Sequence, residues 1–442
     1  MIPTIKTNQK NMKYNRYFIC LIGLLLLNSC KDDDDVVTQE PMQEEVVLTD
    51  NVEVYNAALV DNSLVLAVVN GGDKSYLVDK SGKKVKEWNF SSNLGNDLEI
   101  MPDGKLLGMF KTLTPSVNFG GFGGVIKIIN LDGSIDWEYE YASSEYLAHH
   151  DVEMLPNGNI LFLAWEKVDM LEAQQQGVNT ASHLYPETLI EVNPNTNQIV
   201  WKWNSYNHKI QDQFPSLPNF GSVSSNPQLI DLNYFSLDNG DIMHANGIDY
   251  DAQKDVIYMS VNNYSEVWVI DHSTTILEAE TSNGGAYNKG GDLIYRFGNP
   301  EAYKNLFGNR LFYNNHFPNL LEDNVPGEGN VLVFVNGSNT TQSTVYELDM
   351  PDVLNLIPNS NNEPQLIWDF TDPTLQYGRV SGAVRLQNGN TLICEGDYGF
   401  WEVTQTGEIA WKYSGLNTSQ FWRCYAYKFD DSEILNQNIE FE

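Results

Sequence analysis

Residues 76–88 read YLVDKSGKKVKEW: alternating apolar and polar side chains, a Ser-Gly break, then a second run that closes on an aromatic. Period-two alternation sets one face of an extended strand against a core and the other toward water, and glycine in the break supplies the turn of a hairpin. The unit returns as IKIINLDGSIDW at 126–137, LIEVNPNTNQIVW at 189–201 and FWEVTQTGEIAW at 400–411, with looser copies ending at Tyr295 and Trp368. A second hairpin precedes each copy: LEIMPDGKLLGMF from Leu98, VEMLPNGNILFLAW from Val152, IDYDAQKDVIYMSV from Ile248 and VRLQNGNTLICEG from Val384, with 57–69 and 317–335 in the two remaining places.

Two hairpins per repeat make a four-stranded antiparallel blade, and six repeats make an all-β, six-bladed β-propeller. The expected blades are 52–90, 96–141, 149–204, 244–298, 316–370 and 381–413, within a domain at 51–430 that is followed by a tail at 431–442. Insertions at 166–187, 205–242 and 272–291 break the period and are expected to roof one face of the disc.

Ahead of the repeats, Lys6, Lys10, Lys13 and Arg16 precede an apolar run from Tyr17 to Leu27 and then Asn28-Ser29-Cys30. The run is too short to span a bilayer and has the charged-then-apolar order of a cleaved export signal over residues 1–29. Its end resembles the lipobox of bacterial lipoproteins, which implies lipidation of Cys30, an outer-membrane location in a Gram-negative cell, and membrane contact through that anchor only. Residues 30–50, with Asp32 to Asp35 at their head, read as a disordered acidic tether. The acidic run also resembles a surface-export signal, and a plain solvated linker has the same composition, so periplasmic and surface-facing placements both stand.

The formal charge of −33 becomes about −37 once the four cationic residues of the signal are removed. A field of that sign repels nucleic acid, excluding it as a partner, and obliges any site for an anion to rely on local donors. Of four cysteines, Cys394 and Cys424 belong to the propeller; they either pair in an oxidising compartment or sit as buried thiols.

The first strand of a blade is its innermost, so residues at the start of each blade converge on the axis. Those positions hold Asn96-Asp97, His149-His150-Asp151, His244, His316, and Arg379 to Ser381. Four of the chain's seven histidines thus share one register in three consecutive blades, whereas His183, His208 and His272 fall in insertions or turns and read as solvated. Convergent imidazoles bind a metal, act as acid and base, or serve as a nucleophile; failing these, they plug the channel. Asp97 and Asp151 could complete a metal site, but no short metal-ligand spacing is present, so no metal is expected.

At these positions the chain resembles the arylsulfate sulfotransferase family, exported six-bladed propellers that move a sulfuryl group between phenols without a nucleotide donor. The resemblance is carried by HHDVEMLPNGNILFLAWE (149–166), DIMHANGIDYDAQKDVIYMSV (241–261), SEVWVIDHSTT (265–275), GGDLIYRFGNPEAY (290–303) and SGAVRLQNGNTLICEG (381–396). It implies a small-molecule aryl sulfate and a phenol as partners, no cofactor, and a sulfohistidine intermediate. By register the nucleophile falls on His316, with His244 and His150 in support. The family's arginine, eighteen residues beyond the His-x-Asn histidine, is replaced by Asn262, which can donate one neutral amide to substrate. His316 is followed by Phe317 where relatives often carry Asp. Arg379 is a substitute cation by position, or else a surface salt-bridge residue.

Overall fold

The computed structural model describes residues 46–338, 341–416 and 420–439. The export signal, Cys30 and residues 30–45 of the tether lie outside the described residues, and everything below concerns the unit from Val47 onward.

Six antiparallel sheets form a six-bladed propeller. The second blade, from the axis outward, is Leu94–Ile100, Leu106–Lys111, Gly124–Ile129 and Ile135–Glu140; the third is Tyr146–Met154, Ile160–Glu166, Glu187–Asn193 and Gln198–Asn204. The fourth is Ala245–Asp251, Val256–Val261, Glu266–Asp271 and Tyr295–Phe297, and the fifth Asn315–Leu320, Val331–Val335, Thr344–Asp349 and Gln365–Phe370. Burial falls outward as the sequence pattern requires. Ile160–Glu166 and Val256–Val261 are sandwiched between neighbouring blades, whereas Ile135–Glu140 and Gln365–Phe370 keep one face in water.

The ring closes differently from the expected succession of blades. Phe421–Lys428, which the hairpin pattern leaves in no blade, is the innermost strand of the first blade, antiparallel to Ser63–Val69, with Leu66 opposite Tyr425 and Ala67 opposite Cys424. Lys74–Val78 and Lys84–Asn89 complete that blade. Val52–Tyr55, expected to open it, instead edges the sixth blade as a fifth strand outside Ile409–Ser414, beyond Gly382–Arg385, Thr391–Glu395 and Gly399–Val403. The reason is edge chemistry: a ring of sheets is stable against opening only when its two chain ends are bonded into one another's blades. The tail joins in, since Ser432–Leu435 is a helical turn whose Ile434 is buried with the first two blades, and Asn436 donates to the Pro102 carbonyl.

Cys394 and Cys424 are free, buried thiols in the cluster between the sixth and first blades, with no bond between them. Of the three insertions, 205–242 sends Leu237 and Asp241 to the axial cavity. His208, rather than being solvated, is a buried pin between Asp292 Oδ1 and the Ala279 carbonyl, both at 2.9 Å. His272 bridges Asp255 and Glu191 in the same way, and only His183 is exposed.

Candidate functional site

All six innermost strands run the same way along the axis, so their first residues gather at one end. Five of the six begin irregularly. Ladder register slips within Leu94–Ile100, Tyr146–Met154, Ala245–Asp251, Asn315–Leu320 and Phe421–Lys428. His150 (φ 54°), His244 (φ 53°) and Phe317 (φ 50°) take the left-handed conformation there. Such bulges turn a side chain that would pack between blades toward the axis, and left-handed backbone at bulky residues persists only where the surroundings enforce it.

The histidines line a cavity of about 950 Å³, together with Asn262, Arg379, Lys111 and Trp422. The ring centroids of His150 and His244 lie 4.8 Å apart, and Trp422 stands 5.7 Å from His150 and 6.4 Å from His316. The three imidazoles that share one register in their blades therefore meet in one chamber.

Each imidazole is held by its Nδ1. His316 Nδ1 lies 2.5 Å from Asn336 Oδ1, and Asn336 spends its amide hydrogens on the carbonyls of Tyr377 and Val380. That orientation makes the Asn336 oxygen an acceptor, so His316 Nδ1 carries the hydrogen and Nε2 keeps its lone pair. Burial, against the pull of Asn336, takes His316 down to about 3, and the neighbouring His244 and Arg423 push the same way.

His244 Nδ1 lies 2.6 Å from Asp241 Oδ2. Burial opposes its charge, but the Asp241 carboxylate, by charge and hydrogen bond, carries His244 above the ordinary histidine range. His150 Nδ1 meets His149 Nδ1 at 2.8 Å, and burial holds both rings well below that range. Among the described residues no protein group hydrogen-bonds Nε2 of His150, His244 or His316. The chamber therefore presents two neutral imidazoles and one that is readily protonated.

Glycine is required where the second blade's loop crosses these rings. At Gly121 (φ 77°) a Cβ would stand 2.0 Å from His150 Nε2, 2.3 Å from Cε1 and 2.4 Å from Cδ2. These near-equal distances put the glycine over the ring face and leave the in-plane approach to Nε2 clear.

Asn262 lines the chamber, but its Nδ2 donates to the Asn315 carbonyl at 3.3 Å, bracing the residue before His316. Arg379 is exposed at the rim, and no ion pair or side-chain hydrogen bond engages its guanidinium among the described residues. Lys111, which sequence reasoning passed over, ends the second strand of its blade with Nζ 5.0 Å from the Phe122 ring centroid and no carboxylate partner. In a chain with 59 acidic residues, two unpaired cations at one cavity are notable local donors for an anion. Also missed were Asn336, Asp241, Glu187 and Trp422; only Asp241, three residues before His244, was near enough in sequence to be found. No group of three or more His, Cys, Asp or Glu among the described residues has metal-holding geometry.

Below the histidines the axis is closed. Arg423 donates through both terminal nitrogens to Asp151, each at 2.9 Å, and to the Asn246 carbonyl, while Asp97 accepts from Trp422 Nε1 and Tyr425 Oη.

A family profile described as arylsulfotransferase (ASST) matches residues 39–414. No curated protein matches the chain. Among solved structures, a Bacteroides fragilis protein provisionally described as a 6-phosphogluconolactonase is similar at 10% identity and TM-score 0.42, covering 83% of this chain and 99% of its own. The WD40 domain of Toxoplasma gondii coronin is similar at 7% identity and TM-score 0.39, covering 82% of this chain and 68% of its own. At those values neither bears on the chemistry.

Proposed function

The chain belongs to the arylsulfotransferase family, and from that premise we propose that it passes a sulfuryl group from an aryl sulfate to a phenol through a sulfohistidine at His316. The observation that carries this reading is the state of His316 Nε2: neutral, its tautomer set by Asn336, and open to the cavity. In the first half-reaction the Nε2 lone pair forms an N–S bond as the S–O bond to the donor breaks, and the phenolate departs. In the second a phenol yields its hydroxyl proton to a chamber imidazole as its oxygen attacks sulfur, the N–S bond breaks, and His316 returns to its neutral form. Splitting the transfer lets one site exchange phenols without a nucleotide.

Charge builds on the sulfuryl oxygens and the departing oxygen, where fixed donors lower the barrier. His244, kept protonatable by Asp241, supplies one such donor; Lys111 and Arg379 supply positive charge at the site that Asn262 does not. They also answer the long-range repulsion of an anionic donor by a chain of charge −33.

The test is incubation with 4-nitrophenyl sulfate and phenol. Release of nitrophenolate, with the mass of one sulfuryl group on His316 when acid is avoided, is the expected result; neither release nor adduct refutes it. A second reading, a ligand-binding propeller with a decayed site, is favoured by Asn262 alone. Activity that appears only in Asn262→Arg would support it.

We also propose export as an outer-membrane lipoprotein, supported by the lipobox-like Leu27-Asn28-Ser29-Cys30. Radiolabelled palmitate should enter the wild-type chain and not Cys30→Ser.

A further inference from the structure

One chamber histidine continues into the protein as a chain of titratable groups. His150 Nδ1 faces His149 Nδ1 at 2.8 Å, and His149 Nε2 lies 2.9 Å from Glu187 Oε2. Glu187 Oε1 accepts from Trp165 Nε1 at 3.2 Å and from the Ala245 N–H at 2.7 Å. His149 lies flat on Trp165, centroids 3.7 Å apart and planes 13° apart. His149 and Glu187 have no solvent exposure, and His150 has 3%. The mechanism above uses neither of the two inner groups, although burying a glutamate is costly.

Two Nδ1 atoms at hydrogen-bond distance require that one carry hydrogen and the other not. This makes the chain a switch with two arrangements on the same heavy atoms. With Glu187 ionised, His149 donates from Nε2 to the carboxylate, His150 donates from Nδ1 to His149 Nδ1, and His150 Nε2 is an acceptor. With Glu187 protonated, every hydrogen bond reverses and His150 Nε2 is a donor. Asn336 and Asp241 offer His316 and His244 no such continuation.

We propose that Glu187, His149 and His150 form a buried proton relay that protonates the phenolate His316 displaces from sulfur and takes the proton back from the incoming phenol. This rests on the sulfuryl-transfer reading. As the S–O bond breaks, His150 Nε2 gives its proton to the phenolate oxygen; His149 Nδ1 passes its hydrogen to His150 Nδ1, and Glu187 passes its own to His149 Nε2. The carboxylate left behind balances the positive charge that the imidazole of His316 acquires on sulfonation. When the second phenol attacks, its hydroxyl proton enters at His150 Nε2, the two inner hydrogens shift back, and Glu187 is again protonated.

The surroundings suit a neutral resting chain. Burial, with Asp241 adding to it, holds the Glu187 carboxyl well above the usual range against the Ala245 amide, His244 and Trp165. His149 is faced by His244, Asp241 and Asp151, and His150 by His244, His149, His316 and Arg423, the last already paired with Asp151. His150 alone meets substrate, so Glu187 and His149 are positioning residues.

Glu187→Gln tests the relay in the full chain. The amide oxygen can keep Trp165 and Ala245 while the amide N–H donates to His149 Nε2, locking His150 as an Nε2 donor. With 4-nitrophenyl sulfate, whose leaving group needs no proton near neutral pH, adduct formation on His316 should be unchanged, while transfer onward to phenol falls on the order of a hundredfold or more. Imidazole nitrogen NMR supplies a readout independent of turnover. In wild type His150 should change from Nε2–H to Nδ1–H as rising pH ionises Glu187, and in Glu187→Gln it should not. Should that variant fail to fold, His149→Phe retains the stack on Trp165, cuts the chain and should give the same transfer defect.

An adduct on His316 with undiminished transfer to phenol in these variants overturns the relay and leaves the transferase reading intact. Absence of any wild-type adduct overturns the transferase reading, and the relay as a step of that transfer falls with it. A His150 tautomer that stays fixed across pH in wild type overturns the relay on its own.

Discussion

The two ends of the propeller axis are built from the same strands and behave in opposite ways. At the ends where the innermost strands begin, three imidazoles are anchored through Nδ1 and leave Nε2 without a protein partner. Where those strands end, Glu99, Glu153 and Asp249 approach one another beneath the Arg423 layer, and burial raises all three carboxyls, Glu99 to about 8 and Asp249 to about 7. Between them Arg423 neutralises Asp151, and burial pushes the neighbouring Asp97 carboxyl well above its usual range. The contrast teaches that convergence on an axis does not make a site. A layer whose donors and acceptors are consumed internally is structure, and one that leaves a lone pair facing a cavity is available for chemistry.

The sharpest way to break the contrast is to remove the free lone pair. His316→Asn should abolish the sulfuryl adduct and lower transfer by on the order of 10³-fold or more, with thermal stability close to wild type, as read by mass analysis and a melting scan. In the layer beneath, Arg423→Met leaves Asp151 and Asp97 buried without a counter-charge and should cost roughly 3–5 kcal/mol in denaturant unfolding; adding Asp151→Asn should recover part of the loss. If Arg423→Met costs nothing, the middle layer is no plug.

Asp241→Asn asks whether the chamber needs its charged member. His244 is imidazolium below its raised pKa, so activity that depends on it declines as pH rises through that value. The variant should lower kcat by about a hundredfold and move the alkaline limb to lower pH, visible in a pH–rate profile. Lys111→Met should raise KM for the sulfated donor about tenfold and leave KM for the neutral phenol alone. The smallest effect is expected at the far end. Carboxyls raised in the fold contribute stability that is intact below their unfolded pKa and lost as pH rises through the folded one, so stability should decline from about pH 5 to 8 and the decline should flatten in Glu99→Gln.

Much of this was legible in one dimension because it is periodic. A hairpin such as residues 126–137 carries its alternation, its Asp-Gly turn and its closing Trp137 within twelve positions, and its partners are neighbours in sequence. The histidine register was legible for the same reason, since a repeat converts position within a blade into position on the axis. Phe421–Lys428 was not placed, because its alternation announces a strand and its partner, Ser63–Val69, lies at the other end of the chain. His208 looked solvated because it sits in an insertion, and it is pinned by the Ala279 carbonyl from another one and by Asp292 just beyond it.

By itself the sequence determined the second to fifth blades, the strand order within them and the histidines that reach the axis, since these follow from local alternation, turn chemistry and repetition. Only the tertiary structure decided which nitrogen of each histidine is free. That depends on Asn336, Asp241 and the His149–Glu187 pair, brought in from other strands and loops, and on burial that no single segment can confer. A tautomer and a shifted pKa are properties of an environment, and the environment exists only once the ring has closed.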